Sequence, residues 1–435
     1  MLCFVENVFS QGSFKLIDNA KKQSVKFKLI NNLIVFPIEV NGKTLNFILD
    51  SGVGRTILFN INYNDSIPLY NIKKIKLQGL GKDDAVDAIL SENNTFKLNN
   101  IIGTNVSLYV IFDDSFDLSS KLGITVHGII GFDILKDFIV TINYGINKLT
   151  FTNTLNYKPQ KCKKCETLPL EFNMLKPYIN VGVKLENNPT KIIPVKLLID
   201  SGGSDAMWLF ENSSPEILAP SKYFEDFLGE GLSGSVYGKR AIIEALVIGQ
   251  FEFERPTVSF PDSLSVAHAR KFEDRNGSIG ATVLNRFIVT LNYGNNQITL
   301  KKGSKFKEPF RYNMSGLELV HNGKVLVKEQ DNSSFKFSDK INSSENSTVR
   351  LDYNFKYSFK PSYRIHKVTQ GSAAHKAGLL KDDIIVKING NYTYGMKLEE
   401  IVDYFYKKEN TKINMVIERN SQNYTYQFKL ENILN

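Results

Sequence analysis

The chain has 435 residues, 42% hydrophobic and 23% charged, which is enough apolar material for several cores and excludes a disordered polymer. The formal charge of +9 comes mostly from lysines spread along the chain, without the arginine-bearing stripe of a nucleic-acid binder, so no nucleic-acid partner is expected. No run of about 18 apolar residues occurs, so no transmembrane helix is expected.

In chain order, "MLCFVENVFSQGSFKL" (1–16) is apolar and ends in small or polar residues, but lacks a basic start and a full apolar centre. Residues 1–24 read either as a truncated secretory leader, with export to a periplasm, envelope or exterior, or as a frayed or strand-forming N-terminus. "LIVFPIEV" (33–40) follows as a strand. "FILDSGVGRTIL" (47–58) puts Asp-Ser-Gly directly behind a buried-looking strand. "GIIGFDILKDFIVTINYGINKLTF" (128–151) reads as a short apolar strand, a short helix and a two-stranded hairpin.

The chain then repeats itself. "GSIGATVLNRFIVTLNYGNNQITL" (277–300) aligns without a gap to 128–151 at an offset of 149, with 13 of 24 positions identical. "LLIDSGGSDAMWL" (197–209) repeats the Asp-Ser-Gly element at an offset of 150, and "GLSG" from Gly231 answers "GLGK" from Gly79. Three elements in one order at nearly one offset mean two copies of one mostly β domain, 25–155 and 165–303. Between them Cys162 and Cys165 form a lone C-x-x-C in a Lys-rich connector after Pro159. A zinc site needs further ligands nearby, and none of the five histidines is close in sequence, so a plain linker thiol pair, open to disulfide bonding after export, is preferred over metal or redox chemistry.

Residues 304–349 read as a hairpin, "LELVHNGKVLVKE" (317–329), and a Ser/Asn-rich linker. From 350 to 432 the order is strand, small-residue helix, strand, turn, amphipathic helix, strand and hairpin.

A single Asp-Ser-Gly is a weak signal, because all three are common turn residues. Two copies in equivalent places of a duplicated domain can bring Asp50 and Asp200 face to face across the pseudo-symmetry axis. Two carboxylates sharing a site cannot both ionise easily, so one proton is held between them. One group then serves as base and the other as acid toward an intervening water.

These residues resemble the pepsin/retropepsin superfamily of aspartic proteases, in "ILDSGVGRTIL", "LIDSGGSDAMWL" and the later "GIIG" and "SIG". The resemblance implies two fused acid-protease-like β-barrel lobes and an Asp50–Asp200 catalytic pair that activates water by sharing a proton. It also implies support from Ser51, Gly52, Ser201 and Gly202, and flap hairpins at Gly79, Leu80 and Gly81 and at Gly231, Leu232 and Gly234. The first flap, "LQGLGKDD", has no Tyr, unlike many pepsins. The stretch "VTQGSAAHKAGLLKDDIIVKINGNY" (368–392) resembles a PDZ domain of the bacterial protease-associated kind. It departs from that pattern at Asp382, where Gly is usual, and "FKYSFKPSYRI" ahead of the expected first strand shows no Gly-hydrophobic carboxylate loop. The whole is expected to be mostly β, with a C-terminal PDZ-like α+β domain.

The implied function is an aspartic endopeptidase acting on peptide or protein substrate without cofactor or metal, its PDZ unit recruiting or regulating substrate through a peptide ligand. The rival from another class is a catalytically inactive peptide-binding scaffold of the same fold. A trypsin-like serine protease is disfavoured: "DSGG" (200–203) mimics its nucleophile motif, but Ile199 stands where that motif needs Gly, and His127 lacks the expected context.

Overall fold

The computed structural model describes residues 12–61, 67–112, 118–159, 162–331 and 354–434. They fall into two units, one holding residues up to 312 with the last few of the chain, the other Asn313–Glu431.

The first unit is built from two like sheets and a third that joins them. In lobe 1 the strand Lys43–Leu49 lies antiparallel to Leu33–Val40 and parallel to Gly128–Ile130, which pairs in turn with Thr56–Leu58. Lobe 2 repeats this with Asn188–Ile199, Lys176–Leu185, Gly277–Ile279 and Met207–Leu209. The strands expected at 33–40, 138–143 and 287–292 form, and single-turn helices stand at Phe132–Leu135 and Ala281–Leu284.

The joining sheet carries the pseudo-symmetry. Phe138–Asn143 of lobe 1 pairs antiparallel with Phe287–Asn292 of lobe 2, with Ile139 opposite Asn292, Thr141 opposite Thr290 and Asn143 opposite Ile288. The axis therefore passes between Thr141 and Thr290, whose hydroxyls are 3.1 Å apart. Phe36, Phe47, Phe96, Phe151, Phe251 and Phe287 are fully buried. Burying one such side chain contributes about 1.5–3 kcal/mol, and these rings hold the strand ends in place.

The N-terminal stretch forms strands. Ser13–Leu16 pairs with the lobe 1 strand Ile101–Ile111, and Lys22–Lys26 pairs with Lys148–Asn153. Ser13–Leu16 thus edges the lobe 1 sheet and Lys22–Lys26 the joining sheet, as the strand-forming reading of this stretch expects; residues 1–11 lie outside the described residues.

In the second unit Leu317–Asp331, Asn354–Val368, Ile384–Ile388, Lys412–Arg419 and Gln422–Lys429 form one sheet in that order. The hairpin expected within 317–329 does not form. Its Asn-Gly dipeptide makes a register shift between His321 and Lys324, with Gly323 at φ +66°, and the strand runs on to pair with Asn354–Val368. A long-range partner satisfies more backbone groups than a short self-hairpin would. "FKYSFKPSYRI" likewise lies inside the strand Asn354–Val368, not before the first strand. The linker expected up to 349 lies, from 332 on, outside the described residues.

Helix Ala373–Ala377 is capped as its sequence requires: the Ser372 hydroxyl accepts from His375 N–H, and Gly378 closes it at φ +93°. Asp382 stands at φ +68°, which explains why Gly is usual there, and pairs with Arg364. Leu398–Val402, continued by a 3₁₀ turn Asp403–Tyr406, is the expected amphipathic helix.

Candidate active site

Each Asp-Ser-Gly triplet ends a strand held on both sides. Asp50 N–H donates to the Ile130 carbonyl and Asp200 N–H to the Ile279 carbonyl, both at 2.9 Å. In each triplet the glycine N–H turns back onto the carboxylate: Gly52 to Asp50 Oδ1 at 2.7 Å, Gly202 to Asp200 Oδ1 at 3.1 Å. The serines lock the two loops together. Ser51 N–H donates to Ser201 Oγ and Ser201 N–H to Ser51 Oγ, each at 3.0 Å. Their hydroxyls donate across the axis, Ser51 to the Ile199 carbonyl at 2.6 Å and Ser201 to the Leu49 carbonyl at 2.9 Å.

The two carboxyl groups lie within hydrogen-bonding reach of each other. A Cβ on Gly202 would stand 2.3 Å from the Asp50 carboxyl carbon, so only glycine lets lobe 2 approach this closely. Burial, and next the Asp200 charge, push the Asp50 carboxyl up to about 7 from its ordinary 3.8, against the Gly52 amide and Lys176. Asp200 is also raised by burial, but Arg275, the Gly203 and Gly202 amides and Lys176 oppose the shift. Ionising both buried groups at once is therefore costly.

The flap candidates come together with each other. Residues 79–81 lie between the strands Lys73–Leu77 and Val86–Leu98, and residues 231–234 make the turn between Tyr223–Gly231 and Gly234–Ile242. Ser233 N–H donates to the Leu80 carbonyl at 2.8 Å and Asp83 N–H to the Ser233 carbonyl at 2.9 Å. Gly81, at φ +120°, has no room for a Cβ beside the Ser233 carbonyl, and Gly234, at φ +96°, none beside the Asp83 carboxylate. Leu232 reaches across to pack on the apolar cluster of lobe 1.

Two basic residues near the aspartates were missed in the sequence. Arg275 is 5% exposed; its Nε donates to the Gly277 carbonyl at 3.1 Å, and its guanidinium stands 5.2 Å from the Phe210 ring centre. Lys176 is half-buried in the same electrostatic cluster as Asp50, Asp200 and Arg275. Burial lowers the proton affinity of both cations, and Arg275 lowers that of Lys176 further; Asp50 and Asp200 raise it at Lys176, and Tyr178 and Asp200 at Arg275. Aligning the two N-terminal hairpin turns would have flagged Lys176, because it follows the left-handed pair Met174–Leu175 as Leu33 follows Asn31–Asn32.

Elsewhere Asp133 accepts from Thr56 N–H (2.7 Å) and its hydroxyl (2.8 Å), fixing the chain after the first triplet. Asp205 does the same after the second, accepting from Trp208 Nε1, Ser259 and Arg240. The Ser201 hydroxyl bonds only backbone groups, with no imidazole beside it, so it is not arranged as a nucleophile. Cys162 and Cys165 are joined by a disulfide. No helix among the described residues is long and apolar enough to cross a membrane.

In the second unit, the Gly-hydrophobic stretch sought before the first strand lies further upstream, at "SGLEL" (315–319), a signal also missed. Gly316, at φ +77°, precedes the strand Leu317–Asp331; its carbonyl accepts from Thr369 N–H, and the Ser315 hydroxyl accepts from Leu317 N–H.

Residues 36–134 match the family model described as aspartyl protease, and residues 364–419 match the PDZ domain model. The first match contains Asp50 and stops before Asp200, whose place follows from the internal repeat. The probable CtpA-like serine proteases of Staphylococcus aureus strains COL, N315 and MW2 are 38% identical to the chain over 53 residues. That stretch is 12% of this chain, and the chain spans only 11% of the length of these curated relatives. Together the matches support a protease-type function.

Proposed function

We propose that this chain, which carries an aspartyl protease domain and a PDZ domain, is an aspartic endopeptidase whose catalytic pair is Asp50 and Asp200. The observation that carries the proposal is the pair itself: two carboxyl groups within hydrogen-bonding reach on a pseudo-two-fold axis, one raised to about 7. In this mechanism the ionised member takes a proton from a water held between the groups. The protonated member donates to the scissile carbonyl oxygen, so a tetrahedral diol forms without full charge on that oxygen. Its collapse sends a proton to the leaving amine. Substrate lies as an extended strand beneath the flap tips, whose mutual hydrogen bonds open to admit it.

The PDZ unit would hold a peptide segment against a sheet edge, with the 315–319 stretch near its terminus. An oxidising, exported location accords with the disulfide in the inter-lobe connector.

Asp50→Asn and Asp200→Asn are each expected to abolish cleavage of a peptide library while the protein remains folded, and the wild type to bind a pepstatin-like inhibitor. Undiminished cleavage by either variant would refute the assignment. A folded wild type that neither cleaves nor binds inhibitor would favour the scaffold alternative.

A further inference from the structure

The two halves of the cleft are unequal. In lobe 1 Val35 pairs with Ile48, so two residues back along that register Leu33 falls opposite Asp50. In lobe 2 Tyr178 pairs with Leu198, and the same two-residue step puts Lys176 opposite Asp200. Arg275 precedes Gly277 by two residues as Val126 precedes Gly128, so these two positions also correspond. Where lobe 1 presents buried Leu33, Val35 and Val126, lobe 2 presents Lys176, Tyr178 and Arg275.

An apolar-to-cationic exchange at two of three equivalent positions is costly in a packed protein unless the charge meets something. Asp200 faces both cations but is itself part of a pair that holds a proton. With one proton shared, the pair carries a single negative charge against two positive ones. Arg275 is held by Tyr178 and the Gly277 carbonyl and makes no carboxylate ion pair among the described residues. Lys176 makes no hydrogen bond or ion pair among the described residues, yet it is only half-buried, so part of its side chain meets solvent.

We infer that Lys176, backed by Arg275, forms a subsite on the lobe 2 side of the scissile bond that takes an acidic side chain of the substrate. The inference rests on the protease reading above and names its substrate class: extended peptide with an acidic side chain beside the cut. A carboxylate entering there meets an ammonium desolvated on one side, which makes a charge-assisted hydrogen bond stronger than at an open surface. An apolar side chain there would instead bury the ammonium unpaired.

The test uses the full chain and two readouts. Cleavage of a randomised peptide library should show at least tenfold enrichment of Asp or Glu at one position flanking the cut. Calorimetric binding of paired statine-containing peptides, differing only by Asp against Leu at that position, should favour Asp by a similar factor. Lys176→Leu, which restores the lobe 1 residue type, should abolish or invert both preferences, and Lys176→Arg should keep them. Cleavage and binding with no acidic preference, or a preference that survives Lys176→Leu in a folded protein, would overturn the subsite and leave the protease reading standing. No cleavage and no binding of either peptide by folded wild type would overturn both.

Discussion

Replacing Asp50 with asparagine is expected to stabilise the folded protein at neutral pH while removing activity. In the folded state the Asp50 carboxyl is moved from its ordinary 3.8 to about 7, chiefly by burial and then by the neighbouring Asp200 charge. At about 1.36 kcal/mol per pH unit, holding it ionised above pH 7 costs about 4 kcal/mol. The folded state keeps a proton that the unfolded chain releases, so stability falls as pH climbs from about 4 to about 7. Below that window both states are protonated and the cost vanishes. Asparagine removes the charge and keeps an oxygen to accept from Gly52 N–H, but it forfeits attraction to Lys176. The net gain at pH 8 is then about 2–3 kcal/mol, which raises Tm by roughly 4–8 °C. Calorimetric melts of wild type and Asp50→Asn at pH 4 and pH 8 check this. A variant no more stable than wild type at pH 8, or equally stabilised at both pH values, would refute the account of a desolvated, proton-sharing pair.

Further outcomes follow from the contacts around the pair and in the second unit. Ser51→Ala or Ser201→Ala leaves a buried N–H and a buried carbonyl without their cross-axis partner, costing about 2–4 kcal/mol each; urea melts in which Ser→Ala and Ser→Thr lose equally would contradict this. Gly81→Ala forces a Cβ into the Ser233 carbonyl, so the flap tips should part and amide exchange at residues 79–83 and 231–234 should accelerate; unchanged exchange would count against interlocked tips. Asp383, 1% exposed, is gripped by Arg419 at 2.6 and 2.7 Å and accepts from Leu380 N–H. Asp383→Ala should therefore lower the stability of the second unit by about 3 kcal/mol, read as loss of its melting transition in the full chain.

The duplication, the Asp-Ser-Gly pair and the matched glycine turns at 79–81 and 231–234 were legible in the sequence because each is a local pattern that repeats. Identity between 128–151 and 277–300 needs no knowledge of folding, and a left-handed cap such as Gly378 depends on its own backbone angle. Strand partners were less legible. Nothing within 317–329 says that the strand will reject its own Asn-Gly turn for a partner beginning at residue 354, and nothing within 13–16 names Ile101–Ile111 as its neighbour. Least legible were Lys176 and Arg275, which resemble any other basic residue of a lysine-rich chain. Their effect on the aspartates comes from a register that sets Lys176 opposite Asp200 and from a buried setting shared by residues a hundred positions apart. Electrostatic strength depends on distance and on the exclusion of water, and both exist only once the chain is folded.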